Sequence, residues 1–227
     1  MQRSRLEYKR RLILSCSRRT GYVILGSLYK KKNGVPLKIM TDITRILVLG
    51  GCRSGKSRFA KQTADNMAMD KKIYLATCVP TDREMKTRVK RHQDDRGPDW
   101  ATIEEPIRIH ETIDRACTQA KVILVDCLTL WISNLLFQGK DEAGIMSAVD
   151  LLEDALNRAT CPVVLVSNEV GYGIVPENSL ARQFRDMAGL VNQRVARAVD
   201  KVIVSMAGIP VQIKPESGNG QGLGKEI

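Results

Sequence analysis

The sequence predicts an α/β fold: a mostly parallel sheet with helices on both faces, in a single domain. Three observations lead there. Short, branched apolar runs bounded by turn residues alternate along the chain with longer amphipathic segments, the pattern of a sheet buried on both sides. The first run, residues 46–49, opens straight into Gly50, Gly51, Cys52, Arg53, Ser54, Gly55, Lys56 and Ser57, which reads G-x-x-x-x-G-K-S. And 43% of the 227 residues are apolar, ample for one buried core.

Residues 58–69 read as a helix, so the glycine-rich stretch has the strand–loop–helix setting of a phosphate-binding loop, and the fold expected is P-loop NTPase-like. Successive backbone N–H groups in such a loop point inward at phosphate oxygens, and the helix N-terminus adds roughly half a positive charge. Lys56 is expected to neutralise the β- and γ-phosphates. Ser57 is expected to offer its hydroxyl to Mg²⁺, a small hard ion that prefers oxygen ligands. These residue types in this order imply binding of a nucleoside triphosphate.

The remaining elements follow in order. Residues 72–77 form a second strand, and Thr81 with Glu84 makes a capping box that starts a helix running toward His92. Residues 100–104 are extended, and Pro106 begins a helix to about residue 120. Residues 121–126 are the next strand. It ends in Asp126, a position from which a carboxylate reaches Mg²⁺ directly or through water. Residues 127–137 and 145–159 read as helices around a polar loop, and 162–167 as a buried strand that opens into a long polar loop, 168–178. A helix over 179–199 carries the stripe Leu180, Phe184, Ala188, Val191 and Val195. Residues 201–205 are a strand beside which 211–214 can pair, and residues 215–227, with four glycines, read as a disordered tail.

Charge and cysteines exclude several classes. The net charge of +11 suggests nucleic acid, but residues 1–45 hold 12 Lys+Arg against 2 Asp+Glu, leaving 24 against 23 for the remainder. The folded body is nearly neutral, so nucleic acid is not expected as a partner. A nucleotide-gated nucleic-acid-binding protein acting through the basic extension is the rival from another class. Residues 1–44 read as a basic extension without its own fold. A solvated tail, an organellar transit segment and a stretch upstream of a true start at Met40 all fit, and the last is favoured because the chain from Met40 onward already spells a complete domain over 45–214. The six cysteines form no C-x-x-C pair and no ligand spacing with His92 or His110, the two histidines. Free thiols, no membrane span and a cytoplasmic location are the expectation.

Beyond the phosphate loop, several blocks occur in a fixed order: Arg91 and His92 before Arg96, WATIEEP over 100–106, DCLTLW over 126–131, NEVGYGIVPEN over 168–178 and ARQFRDMAGLVNQR over 181–194. Together they resemble the bifunctional adenosylcobinamide kinase and adenosylcobinamide-phosphate guanylyltransferase family of cobalamin biosynthesis, over about residues 45–214. The resemblance implies two reactions: phosphorylation of adenosylcobinamide by ATP or GTP, then transfer of GMP from GTP through a guanylylated histidine, giving adenosyl-GDP-cobinamide. It places that histidine at His92, a role that suits imidazole, which is nucleophilic near neutral pH and forms a reactive phosphoramidate. It further implies that Thr77, Cys78, Val79, Gln93, Asp94, Asp95, Arg96, Glu104 and Asp126 line the GTP site, that Mg²⁺ is held at Ser57 and Asp126, and that the assembly is a homotrimer. Glu169 and Arg182 or Arg185 serve the cobinamide side or subunit contacts, with solvated or structural roles equally open. Arg91 stands where some relatives have a second histidine, and Cys52 where many have Ala. The alternative is a P-loop small-molecule kinase without the guanylyl step.

Overall fold

The computed structural model describes residues 43–79 and 97–215. The chain divides into the units Met1–Ile39 and Met40–Ile227, and every described residue belongs to the second. In order, this unit contains β1 (Arg45–Gly50), α1 (Lys56–Met67), β2 (Lys72–Ala76), β3 (Trp100–Glu104), α2 (Ile109–Ala116) and β4 (Val122–Asp126). It continues with α3 (Leu128–Phe137), α4 (Glu142–Arg158), β5 (Val163–Asn168), α5 (Ser179–Ala198), β6 (Lys201–Met206) and β7 (Ile209–Lys214). The helix expected over residues 81–92 lies outside the described residues.

The strands form one sheet in the order β3-β2-β4-β5-β1-β6-β7, parallel except for the antiparallel β6–β7 pair. Alternation within each strand feeds two cores. Leu47, Leu75, Ile123, Val125 and Leu165 face α2, α3, α4 and α5, where Trp131, Ile132, Ile145 and Leu152 are fully buried. Ile46, Val48, Leu124, Val164 and Val166 face α1, whose contact residues are Ala60, Ala64 and, at its end, Ala68. Small residues let this helix lie close on the sheet. Burial on both faces explains why the central strands read as continuous apolar runs.

β1 is central, and its connection through α1 runs toward β2 whereas β5 connects through α5 to β6 on the other side. Chains that leave adjacent strands in opposite directions open a crevice at their carboxyl ends.

Several boundaries differ from the sequence expectation for local reasons. α1 starts at Lys56, so Lys56 and Ser57 form its first turn. α2 is shorter than expected at both ends. The Glu105 carboxylate accepts the N–H of Ile107 at 2.9 Å and of Arg108 at 2.8 Å, holding the segment after Pro106 in a turn, and the chain turns again where Gln119 and Ala120 both donate to the Ala116 carbonyl. α4 begins three residues early because Asp141 caps it, accepting from the Gly144 N–H at 2.9 Å. Leu180 falls off the packed stripe of α5 and is 46% exposed.

One carboxylate ties α1 to the far strands. Asp65 accepts from Lys61 (2.8 Å), Lys72 (2.7 Å) and the Trp100 indole (3.0 Å), with Lys72 buried. Partial burial would raise its pKa, but the three donors outweigh that and hold it below the usual value of 3.8. A depressed folded-state pKa contributes stability above the unfolded value and loses it as pH falls through the folded one. Asp65→Asn should therefore cost about 2 kcal/mol at neutral pH, leaving Lys72 buried without its counter-charge, and lower Tm by about 4–8 °C. In thermal melts, the gap between variant and wild type should hold steady from about pH 8 to 5 and narrow below about pH 4.

Candidate nucleotide site

The candidate site is built on the carboxyl edge of the sheet. Registers place Gly50 (β1) beside Asn168 (β5), Val166 (β5) beside Asp126 (β4), and Ala76 (β2) between Asp126 and Glu104 (β3). At about 4.8 Å per strand, Asp126 is about 10 Å from the phosphate loop and Glu104 about 19 Å. A nucleotide touching both ends must lie stretched across the sheet.

The loop's shape follows from close packing. Ser54 Oγ lies over Gly50, where an added Cβ would come within 2.5 Å of it and within 2.6 Å of the Ser205 carbonyl oxygen. Arg53 and Gly55 take positive φ values of 56° and 90°, turning the chain into α1. The Ser54 N–H donates to the Gly51 carbonyl at 3.3 Å, and the Ser54 carbonyl accepts from Ser205 Oγ at 2.7 Å and from the Gly208 N–H at 2.9 Å. The β6–β7 hairpin thus buttresses the loop. Sequence reading missed Ser205 and Gly208, which lie about 150 residues away; the signal was the Gly208 turn itself.

Two features of the loop call for an anion. The N-terminus of α1 has Gly55 as its cap, with no side chain accepting its first N–H groups and no acidic residue in its first turn. Lys56 is only 9% exposed, and its ammonium bonds the neutral Gly51 carbonyl at 3.1 Å. Among the described residues no carboxylate lies within ion-pair distance of it. A buried cation without a counter-charge is costly, and a phosphate supplies one.

Asp126 accepts a 2.8 Å hydrogen bond from the Tyr74 hydroxyl through Oδ2, which fixes the carboxylate plane at the end of β4. Ser57 stands in the first turn of α1. This is an all-oxygen donor pair that fits Mg²⁺, and among the described residues no cluster of three His, Cys, Asp or Glu makes a self-sufficient metal site. Thr77 is fully buried. Its hydroxyl donates to the Cys127 carbonyl and accepts the Cys127 N–H, both at 2.8 Å, so its side chain shapes the turn after Asp126. Burial, seconded by the neighbouring Asp126 charge, pushes the Cys127 thiol up to about 11, removing it as a nucleophile. Glu104 is exposed at the end of the edge strand, and Val79 is 47% exposed. His92, Gln93, Asp94, Asp95 and Arg96 lie outside the described residues.

The sequence blocks are joined by short polar bonds. Thr129 Oγ1 accepts both the backbone N–H (2.9 Å) and the side-chain amide (3.0 Å) of Asn168, whose carbonyl accepts from Asn192 at 3.2 Å. The Glu169 N–H donates to the Gly50 carbonyl at 3.1 Å. DCLTLW, NEVG, VNQR and the phosphate loop are therefore one bonded floor. Above it, Arg182 Nη1 donates to the Pro176 and Glu177 carbonyls, and Arg185 Nη2 to the Gly171 carbonyl at 2.6 Å, while Arg185 Nη1 is buried with no partner among the described residues.

Gly50→Ala should abolish nucleotide binding in isothermal titration, since its methyl would meet backbone at Ser205. Gly51→Ala, whose Cβ would meet nothing within 4 Å, should retain binding within about tenfold.

Residues 46–213 match the family model described as cobinamide kinase / cobinamide phosphate guanyltransferase. The chain is 42% identical over 181 residues to the bifunctional adenosylcobalamin biosynthesis protein CobU of Salmonella typhimurium, covering 74% of this chain and 99% of that protein. It is 40% identical to the Escherichia coli protein of the same name, with the same coverage. It is 37% identical over 172 residues to the bifunctional adenosylcobalamin biosynthesis protein CobP of Pseudomonas aeruginosa, covering 76% and 98%. Among solved structures, a KaiC-like protein from Pyrococcus horikoshii overlaps 71% of this chain and 70% of its own, with 16% identity and a TM-score of 0.45. With the family match spanning nearly the whole described domain, this chain belongs to the cobinamide kinase / cobinamide phosphate guanyltransferase family.

Proposed function

We propose that this member of the family carries out both reactions in sequence on adenosylcobinamide. In the first, the hydroxyl oxygen of the aminopropanol arm attacks the γ-phosphorus of ATP or GTP, the hydroxyl proton is lost, and the nucleoside diphosphate leaves. In the second, an imidazole nitrogen of His92 attacks the α-phosphorus of GTP and pyrophosphate leaves. The cobinamide phosphate oxygen then takes the GMP group from nitrogen, giving adenosyl-GDP-cobinamide and free histidine. The observation that carries the reading is the buried Lys56 ammonium at the N-terminus of α1, without a counter-charge among its own chain's described residues.

Each residue's task follows from its place. Lys56 and the N–H groups of the loop hold the departing phosphates and spread their charge. Ser57 and Asp126 would hold Mg²⁺, which would supply further neutralisation of the phosphate charge. Cys78, Val79, Gln93, Asp94, Asp95, Arg96 and Glu104 would line the remainder of the GTP site, with Glu104 accepting from guanine. Nη1 of Arg185, without a partner among the described residues, suits the acceptor's phosphate. The exposed Tyr172, Ile174 and Val175, at 89, 96 and 63%, offer an apolar surface for self-association, and a homotrimer is the assembly proposed. Among the described residues no helix is long and apolar enough to cross a membrane, in keeping with work in the cytoplasm.

Lys56→Ala should lower kcat/KM of both reactions at least about 100-fold, because each needs a bound triphosphate. Incubating the protein with Mg²⁺ and α-³²P-labelled GTP, then denaturing it, should leave label that survives base, is lost in acid and is absent from His92→Asn. No label on a wild-type protein that binds GTP and phosphorylates cobinamide would reduce the reading to the kinase alone. Arg185→Gln should raise KM for cobinamide phosphate about tenfold or more with GTP binding unchanged. An unchanged KM would return Arg185 to a purely structural role at Gly171.

A further inference from the structure

Cys117 and Cys161 meet at the edge of the sheet opposite the phosphate loop. Cys117 caps the C-terminus of α2 and Cys161 lies two residues before β5, yet their sulfurs are 3.3 Å apart. The flanking backbone is already clamped. Thr160 Oγ1 donates to the Cys117 carbonyl at 2.9 Å, and the Arg158–Asp114 ion pair at 2.8 Å ties the end of α4 to α2 beside it. Bringing the sulfurs to bonding distance, near 2.05 Å, asks for about 1.3 Å of movement, within reach of side-chain rotation.

We propose that Cys117 and Cys161 are a reversible thiol-oxidation site, joined by hydrogen peroxide into a disulfide that ties the end of α2 to the start of β5. The environment assigns the two roles. Cys117 Sγ accepts from the Cys161 thiol and from the backbone N–H groups of Thr160 and Cys161, which together hold its pKa below the usual thiol value against burial and the Asp114 charge. Cys161, the donor in that contact, is pushed up. The Cys117 thiolate attacks one peroxide oxygen, the O–O bond breaks, and with a proton taken up water leaves a sulfenic acid. Cys161 sulfur, losing its proton, attacks the Cys117 sulfur and expels the hydroxyl as a second water. Two thiols lose two protons and two electrons, and one peroxide becomes two waters.

Access and selectivity suit a small oxidant. The pair is 6 and 4% exposed and is flanked in the chain by the exposed Thr118, Gln119 and Thr160, so the path to it from solvent is short. Cys127 is held protonated by burial, and Cys52, exposed on the phosphate loop, has no thiol recorded beside it among the described residues. The bridge would close a loop of 44 residues without touching the nucleotide cradle.

The test uses the full-length wild-type protein, reduced and then treated with an equimolar dose of hydrogen peroxide, blocked with iodoacetamide and mapped by peptide mass without reduction. A cross-linked pair containing Cys117 and Cys161, lighter by two hydrogens and separated by dithiothreitol, is expected, together with a Tm about 5–10 °C above the reduced protein. In Cys161→Ser, treated with peroxide and then unfolded in the presence of dimedone, Cys117 should instead be trapped as its sulfenic acid. Recovery of both cysteines alkylated while Cys52 is oxidised would overturn the proposal. So would conversion of Cys117 to sulfinic acid in the wild type without a cross-link. The wild-type map decides the matter even where a serine variant fails to fold.

Discussion

A mostly buried lysine at the carboxyl edge of a parallel sheet is the constraint around which this domain is arranged. Lys56 is held there because it opens a helix whose start is fixed by a glycine in a left-handed conformation, at the end of a strand packed on both sides. Among the described residues no carboxylate pairs with it, so the arrangement favours whichever state brings an anion to it. Binding free energy for phosphate is in this sense stored in the fold before any ligand arrives.

The polar floor around that lysine is made from short side chains. Thr77, Thr129, Asn168 and Asn192 each bond across from one element to another, with one to three rotatable bonds to order. Short linkers hold backbone positions to within tenths of an ångström, which an in-line displacement at phosphorus requires. The longer, exposed segment over 169–178 is pinned at a few carbonyls by Arg182 and Arg185. Rigid floor and more open wall are the division of labour expected where small phosphates are held on one side and a large acceptor enters on the other.

Much of the fold was legible because its signals are local. Residues 46–57 declare strand, loop and helix within a dozen positions, and the branched runs of β4 and β5 have no competing helical period. The errors were also local: Pro106 suggested a helix start, but the neighbouring Glu105 took the two N–H groups that would have begun it. What could not be read were contacts between distant residues of ordinary type. Ser205, Gly208 and Tyr74 carry no motif, and each matters only because the sheet order sets it against the loop or against Asp126. The thiol contact was hidden likewise, since Cys117 and Cys161 have no recognisable spacing.

The hairpin that supports the phosphate loop has a consequence for how the chain matures. Ser54 is made early, but the groups that hold its carbonyl, Ser205 and Gly208, are translated about 150 residues later. A nascent chain can therefore build β1 and α1 without yet possessing a competent cradle. The folded form of the loop thus waits on the last strands of the domain to be made.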